Sequence, residues 1–270
     1  MSVGNAAEAC VLHRDGDGIR RITLNRPDAA NALRPVDRDR VIELLAEADE
    51  DPEIRVVVLA ASGRHFCAGA DIGGIAGAKK AGKRVTDGMR RIMNGAQRLI
   101  AAVLDCGKPV IAAVQGAAAG IGAHLALAAD LVVAAEEATF VESFVRRGLV
   151  VDGGGAYLLP RRVGMQKAKE LAFFGDKLPA AEALALGLVN RVVPAADLAA
   201  TADEFARRLA VAPTTSIVLT KRLLNASPDG DRAAAFLAEG MAQEIQSYSE
   251  DSREGVRSFV ERRPAEFRGW

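Results

Sequence analysis

The sequence predicts an α/β core followed by a helical C-terminal extension. In residues 1–196 of the 270-residue chain, apolar strand-like runs alternate with segments of helical spacing. From residue 197 the chain is mostly helical in spacing, with interruptions near Pro213 and at residues 225–230. Strands that alternate with helices indicate a sheet covered by helices, and a later run of helices indicates an appended layer. We therefore expect residues 1–196 to form the core and residues 197–270 to form the extension.

The individual elements follow from local signals taken in chain order. Asp15-Gly16-Asp17-Gly18 is a turn sequence, so the runs on either side of it are expected to pair as strands. Residues 54–60 are β-branched and apolar, which is typical of a buried strand. The predicted strands are 10–14, 19–24, 54–60 and 131–134, and the predicted helices are 36–49, 89–104, 168–175 and 180–186, the last with Gly187 as its C-cap.

The most informative segment is residues 109–130, PVIAAVQGAAAGIGAHLALAAD. It predicts a buried strand, a turn rich in Gly and Ala, and an apolar helix. Free N–H groups at a helix start attract negative charge, and they form an oxyanion hole when that charge develops during a reaction. A membrane span is disfavoured because Gln115, His124 and three glycines interrupt the run. A buried strand and helix without chemistry is the other reading.

A similar turn lies upstream at residues 64–72, RHFCAGADI, directly after the predicted strand 54–60. Each turn alone is a weak signal. Two turns that each follow a buried strand can supply one N–H apiece to a single oxygen. The alternative is that both are only tight packing corners.

Composition excludes several classes of protein. Lys plus Arg and Asp plus Glu each number 35, so no basic surface predicts a nucleic-acid partner. The first ten residues lack a basic stretch followed by a long apolar run, so we expect no secretory signal. Three cysteines form neither a disulfide framework nor a metal-ligand spacing. We expect a cytoplasmic protein that binds no metal and no membrane.

The motifs together resemble the enoyl-CoA hydratase/isomerase (crotonase) superfamily over nearly the whole chain. The matching segments are residues 22–27, 31–33, 66–72, 108–116, 125–140, 153–164, 180–183, 187–189, 254–256 and 259–263. The resemblance implies a crotonase-like spiral of ββα turns with a C-terminal α-helical oligomerisation extension. It also implies an acyl-CoA thioester substrate, no cofactor beyond the coenzyme A of that substrate, and a homotrimer or homohexamer.

The resemblance also assigns the binding residues. The oxyanion N–H groups are those of Ala70 and Ile121. The residues expected to contact coenzyme A or the acyl group are Ala29, Ala30, Ala68, Ala70, Asp71, Ile72, Ile121, Phe144 and Arg262. Arg262 matches a basic position that meets the nucleotide phosphates. An arginine in a C-terminal helix can equally be a solvated charge or a partner of the helix dipole.

The chain departs from the hydratases at the acid/base groups. By resemblance, hydratases place one Glu at the position of His124 and a second at the position of Phe144. Two carboxylates serve hydration because water must be held and deprotonated while a proton reaches Cα. Glu142 lies two residues before Phe144. We expect that offset to change the direction of its side chain, so that it does not replace the second hydratase Glu. Ordinary hydration is therefore in doubt.

Asp152 is the carboxylate that stands out, because it precedes three glycines and follows an apolar run. In several relatives, including double-bond isomerases, an Asp at the equivalent position is catalytic. Burial among Val150, Val151 and Phe144 would raise its pKa and suit it to proton transfer. The alternative is an Asp that caps the helix beginning near Gly154.

These observations favour an acyl-CoA enzyme that stabilises a thioester enolate and moves a proton with Asp152, shifting a double bond. His124 is either a satisfied core residue or a second proton carrier. A hydratase that uses Asp152 and His124 is one alternative. A catalytically silent acyl-CoA-binding protein is the other.

Overall fold

The computed structural model describes residues 9–71 and 86–270. Its larger sheet has six strands in the order β1-β2-β3-β4-β6-β9. These strands are β1 Val11–Gly16, β2 Ile19–Leu24, β3 Val56–Ala61, β4 Val110–Val114, β6 Leu131–Ala135 and β9 Arg191–Val193. Strands β1 and β2 form the expected antiparallel hairpin, and every later pair in this sheet is parallel. The carboxyl ends of the central strands therefore lie at one edge of the sheet.

A smaller sheet stands beside this edge. It contains β5 Ala117–Ala119, β7 Thr139–Val141 and β8 Lys177–Pro179, in the order β5-β7-β8. The chain passes from the larger to the smaller sheet at Gly116, which has a φ of +54°. A Cβ atom at Gly116 would overlap the Arg64 carbonyl oxygen, so the crossing brings the segment after β3 close to the start of β5.

The helices cover the sheets and then continue alone. They are α1 Pro35–Glu50, α2 Asp87–Arg91, α3 Arg98–Asp105, α4 Ile121–Ala128, α5 Gly155–Phe174, α6 Ala180–Ala185, α7 Leu198–Ala210, α8 Thr214–Ala226, α9 Arg232–Ser247 and α10 Glu250–Glu261. In residues 9–71 and 86–270, no helix has both the length and the apolar character that crossing a membrane requires.

Two apolar layers hold the core together. The main layer lies between the larger sheet and helices α1, α3, α4 and α5, and includes Ile22, Leu99 and Leu125. The second layer lies on the opposite face of that sheet, where Ala202 and Ala206 of α7 pack on the strands. The first helix of the predicted extension thus covers the sheet directly.

Two helices differ from the expected bounds. The helix expected at 168–175 begins at Gly155, and its backbone is kinked at Gly164. The helix expected at 89–104 is divided by a π-helical segment, Ile92–Gln97, between α2 and α3. A π-helical turn accommodates one extra residue, and such turns are frequent at functional sites.

Candidate active site

The turn that carries Ala70 is held between two neighbouring segments. The Cys67 N–H donates to the Ala117 carbonyl at 3.1 Å, and the Ala119 N–H donates to the Cys67 carbonyl at 2.9 Å. On the other side, Leu33 pairs with Ala70 in a parallel bridge. In that geometry the neighbours of Ala70 make the hydrogen bonds to Leu33, so the Ala70 N–H faces away from it. In the described part of the chain this N–H donates to no backbone carbonyl.

The second turn begins α4. Gly120 is its N-cap, with a φ of +53°, and the Gly120 N–H donates to the Val141 carbonyl at 2.8 Å. Ile121 is the first helical residue, so its N–H has no partner inside the helix. A Cβ atom at Gly122 would overlap the Cys67 carbonyl oxygen. The structure therefore presses the start of α4 against the Cys67–Ala70 turn, and both predicted oxyanion donors belong to this junction.

His124 lies in the first turns of α4 and is fully enclosed. Its relative exposure is 0%, and that of Glu142 is 4%. The His124 Nε2 atom lies 2.9 Å from one Glu142 carboxylate oxygen and 3.2 Å from the other. Phe144 stacks on the imidazole with ring centroids 5.6 Å apart. The expectation that Glu142 points elsewhere is wrong: Glu142 and Phe144 both reach His124, one through its carboxylate and one through its ring.

The glycine-rich turn before α5 closes on the same imidazole. A Cβ atom at Gly153 would lie 3.6 Å from His124 Nδ1, and a Cβ atom at Gly155 would overlap the ring at Nε2. His124 Nδ1 is buried and has no hydrogen-bond partner among the described residues. Close approach to His124 therefore requires glycine at position 155, whereas Gly153 is favoured by its φ of +55°.

Asp152 begins this turn and is half-buried. Burial raises the pKa of its carboxyl group, and positive charge on His124 and Arg38 opposes that rise. The predicted burial by Val150 is wrong, because Val150 is 87% exposed and faces away. Asp152 is not the helix cap: Gly154 is the N-cap of α5, with no side-chain cap hydrogen bond. The carboxylate is left available to a ligand.

The residues assigned to coenzyme A form a second cluster. Ala29 ends a short 3-10 helix, and Ala30 follows it with a φ of +48°. The Ala68 N–H donates to the Ala30 carbonyl at 2.9 Å. Arg26 donates to the Asp71 carboxylate at 3.1 Å. The predicted Ala29, Ala30, Ala68 and Asp71 are thus brought together beside Ala70.

Two predicted residues remain apart from this cluster. Ile72 lies outside the described residues. Arg262 ends α10 with a φ of +55° and is exposed. Within residues 9–71 and 86–270, no hydrogen bond or ion pair joins its side chain to the other predicted residues.

Sequence reasoning missed Arg38 and misjudged Glu142. Arg38 lies on α1, and its charge acts on Asp152. The sequence around α1 contains several arginines, and their spacing does not distinguish Arg38 as a site residue. A cavity of about 630 Å³ lies elsewhere, between α7 and the ends of β3 and β4, and none of the predicted site residues lines it.

Comparison with known proteins agrees with this architecture. The family model described as enoyl-CoA hydratase/isomerase matches residues 14–269. A probable enoyl-CoA hydratase of Rhodobacter capsulatus is 40% identical over 96% of this chain and 98% of its own length. The 1,2-epoxyphenylacetyl-CoA isomerase of Escherichia coli is 37% identical over 96% of this chain and 98% of its own length. The crystal structure of an enoyl-CoA hydratase/isomerase from Cupriavidus metallidurans superposes with a TM-score of 0.90 at 35% identity, covering 97% of each chain.

The fold is therefore the crotonase fold with a helical C-terminal extension, and the protein is an enzyme of the hydratase/isomerase type. The chain belongs to the enoyl-CoA hydratase/isomerase family.

Proposed function

We propose that this protein shifts a double bond in an acyl-CoA thioester, with Asp152 as the group that moves the proton. The thioester oxygen accepts hydrogen bonds from the Ala70 and Ile121 N–H groups. The Asp152 carboxylate takes a proton from a carbon of the acyl chain, and the electron pair of that C–H bond moves toward the thioester oxygen. The enolate then collapses, and Asp152 returns the proton to another carbon of the conjugated system.

The two N–H groups act because they are oriented before the charge develops. Negative charge on the thioester oxygen appears next to the start of α4, where fixed donors need no reorganisation. Coenzyme A enters as part of the substrate, so these steps use no separate cofactor. Ala29, Ala30, Ala68 and Asp71 are proposed to hold the coenzyme A portion.

One observation favours isomerisation over hydration. His124 and Glu142 are acid/base groups near Asp152, and the Nε2 atom of His124 is hydrogen-bonded to the Glu142 carboxylate. Both are enclosed, and Phe144 covers one face of the imidazole. A hydratase needs groups that hold and deprotonate a water molecule. A single half-buried carboxylate suffices for a proton that leaves one carbon and returns to another.

The relatives are compatible with either reaction. One is named an isomerase of an oxygenated phenylacetyl-CoA, and several are named enoyl-CoA hydratases. Hydration by Asp152 together with His124 is therefore the second candidate function. A silent acyl-CoA-binding protein is the third.

The test is mass spectrometry of enoyl-CoA thioesters incubated with the enzyme in D₂O. We expect deuterium in the acyl chain without gain of water. Asp152→Asn should lower the exchange rate by about 10²–10⁴ and leave CoA-thioester affinity within a few-fold. Asp176→Asn is the matched control, because Asp176 is exposed and forms a surface ion pair with Arg146.

The outcomes separate the three candidates. Gain of a water mass supports the hydratase. Binding without exchange supports the silent protein. Exchange that persists in Asp152→Asn removes Asp152 as the base.

We also propose a homotrimer or homohexamer. Helices α9 and α10 expose large apolar side chains, which are Phe236, Leu237, Met241, Ile245, Val256, Phe259 and Val260. Contiguous apolar surface on a water-soluble domain usually marks an interface. We propose that a second copy of this chain covers this apolar surface. Arg262, at the end of α10, would then lie close to a neighbouring subunit.

A further inference from the structure

Arg38 is a half-buried cation that forms no ion pair within residues 9–71 and 86–270. It lies in the first turns of α1, and in the described part of the chain its guanidinium makes neither an ion pair nor a hydrogen bond. Its Nε atom is completely enclosed and has no hydrogen-bond partner among the described residues. Buried N–H groups are almost always paired, because an unmade hydrogen bond leaves the cost of desolvation uncompensated. An unpaired guanidinium inside a folded domain therefore calls for an explanation.

The packing of Arg38 shows where its N–H groups point. A Cβ atom at Gly95 would lie 2.9 Å from one terminal nitrogen of the guanidinium, 3.0 Å from its carbon and 3.0 Å from the other nitrogen. Nearly equal distances to three atoms mean that the flat face of the group lies against Gly95. Guanidinium N–H bonds lie in the plane of the group. They therefore point across the face of Gly95 and not into it, and stay free to donate to a ligand.

Gly95 also places Arg38 next to the proposed base. The neighbouring Ala96 Cβ would lie 3.3 Å from a Cβ atom at Gly153, and the Ile121 side chain would lie 3.7 Å from the same point. Gly153 directly follows Asp152, and Ile121 supplies the proposed oxyanion N–H. Arg38 thus contacts Gly95, the next residue Ala96 contacts the turn that follows Asp152, and the charge of Arg38 acts on the Asp152 carboxyl group.

We propose that Arg38 binds an oxygen atom on the acyl chain, beyond the thioester, and that the preferred substrates carry a hydroxyl, ether or carbonyl oxygen there. The enclosed Nε–H of Arg38 gains an acceptor when such a substrate binds. This assignment rests on the proposed function, because it requires the acyl chain to lie beside Asp152.

The surrounding charges favour a neutral oxygen over a carboxylate. The charged groups that act on Arg38 are Asp39, Arg91 and Asp152. Asp39 and Arg91 are exposed, oppose each other in sign and are screened by solvent. Asp152 is half-buried and must be ionised to act as a base. A substrate carboxylate on Arg38 would lie next to that second negative charge, whereas a neutral oxygen accepts the N–H groups without this repulsion.

The experiment measures binding, so it does not depend on turnover. Isothermal titration would compare each unsubstituted acyl-CoA from butanoyl to octanoyl with its terminal-hydroxyl and its terminal-carboxyl counterparts. In the unaltered enzyme, at least one hydroxyacyl-CoA should bind about ten- to a hundredfold more tightly than its unsubstituted match, the range given by a hydrogen bond to a charged donor. Its carboxyl counterpart should bind more weakly than the hydroxyacyl-CoA.

Substitution should assign this preference to one side chain. Arg38→Met keeps the length of the stem but has no N–H group, so it should abolish the hydroxyl preference and leave unsubstituted acyl-CoA affinity within about threefold. Arg91→Met is the matched control, because it removes a nearby exposed positive charge and should keep the preference. Arg38→Lys keeps the charge without the planar fork and should retain only part of it.

The outcomes also distinguish this proposal from the proposed function. Three results would overturn the assignment: equal binding of hydroxyacyl and unsubstituted thioesters, a hydroxyl preference that survives Arg38→Met, or tighter binding of the carboxyl series. None of them would contradict deuterium exchange on unsubstituted enoyl-CoA, which tests the proposed function. Hydroxyl preference without any deuterium exchange would retain Arg38 as a binding residue and refute the reaction instead.

Discussion

The buried His124–Glu142 pair gives a prediction in which stability and chemistry can be separated. The hydrogen bonds of the Glu142 carboxylate in the described chain go to His124 Nε2, at 2.9 and 3.2 Å. His124→Leu keeps a similar volume but leaves this carboxylate buried and unpaired. Removing one partner of a buried pair costs about 3–5 kcal/mol. We expect a loss of that size in the free energy of unfolding.

The double variant His124→Leu with Glu142→Leu should recover most of this loss. Replacing both members of a buried pair by apolar side chains is often neutral or stabilising by about 1–4 kcal/mol. Phe144, which stacks on the imidazole, can pack on the new leucines. The coupling energy from the double-mutant cycle should therefore exceed about 2 kcal/mol. The same cycle on the exposed Arg146–Asp176 pair should give less than about 1 kcal/mol.

Urea unfolding at pH 7 measures these values, at one protomer concentration because assembly would add to stability. Deuterium exchange is then measured on the folded double variant. If Asp152 alone moves the proton, the variant should keep exchange within about tenfold, since it retains the base and both N–H donors. A His124→Leu variant as stable as the parent would refute the energetic reasoning. A folded double variant that has lost exchange would make His124 a proton carrier.

Two further predictions concern Asp152 and assembly. Burial raises the pKa of Asp152, so the folded state favours the protonated carboxyl group. The stability that protonation gives is lost as pH rises through the raised pKa. Asp152→Asn should therefore gain stability relative to the parent as pH rises from about 4, the ordinary pKa of an Asp carboxyl group, through the raised pKa, and equal pH profiles of urea unfolding would contradict it. Removal of residues 249–270 takes away α10 with Val256 and Phe259, so light scattering should show weaker assembly, whereas a monomeric intact protein at micromolar concentration would rule out the interface.

The order of strands and helices could be predicted because local patterns carry it. The Asp15–Gly18 turn specifies the β1–β2 hairpin, and apolar runs specify the parallel strands that follow. The early start of α5 could not be predicted in this way. Gly155 and Pro160 oppose helix formation locally, yet Leu158 and Leu159 are buried in the main core. Tertiary packing outweighs propensity there.

The π-helical segment shows a second limit of local patterns. Its residues keep a helical apolar spacing, so the sequence predicts one uninterrupted helix from 89 to 104. Gly95 lies inside it against the face of the Arg38 guanidinium. Any side chain at this position would displace Arg38. The π-helical turn thus contacts α1, which lies more than fifty residues away in the sequence. The spacing of residues within one helix cannot predict such a long-range contact.

The site shows which of its features can be predicted from the sequence alone. The strand, the Gly-rich turn and the helix start at Ile121 were predictable from the sequence, and a helix start fixes where its N–H groups point. Side-chain partners were not, as Glu142 shows. Counting residues suggested that an offset of two from Phe144 would turn Glu142 away, but the chain turns after β7 and Phe144 has helical backbone angles, so the offset does not fix their relative direction. Both side chains follow β7 and reach the same imidazole from different directions. The Asp152 turn then closes over that imidazole at Gly153 and Gly155, so the Glu142 carboxylate is enclosed whereas that of Asp152 is half-buried, which is why we propose Asp152 as the base.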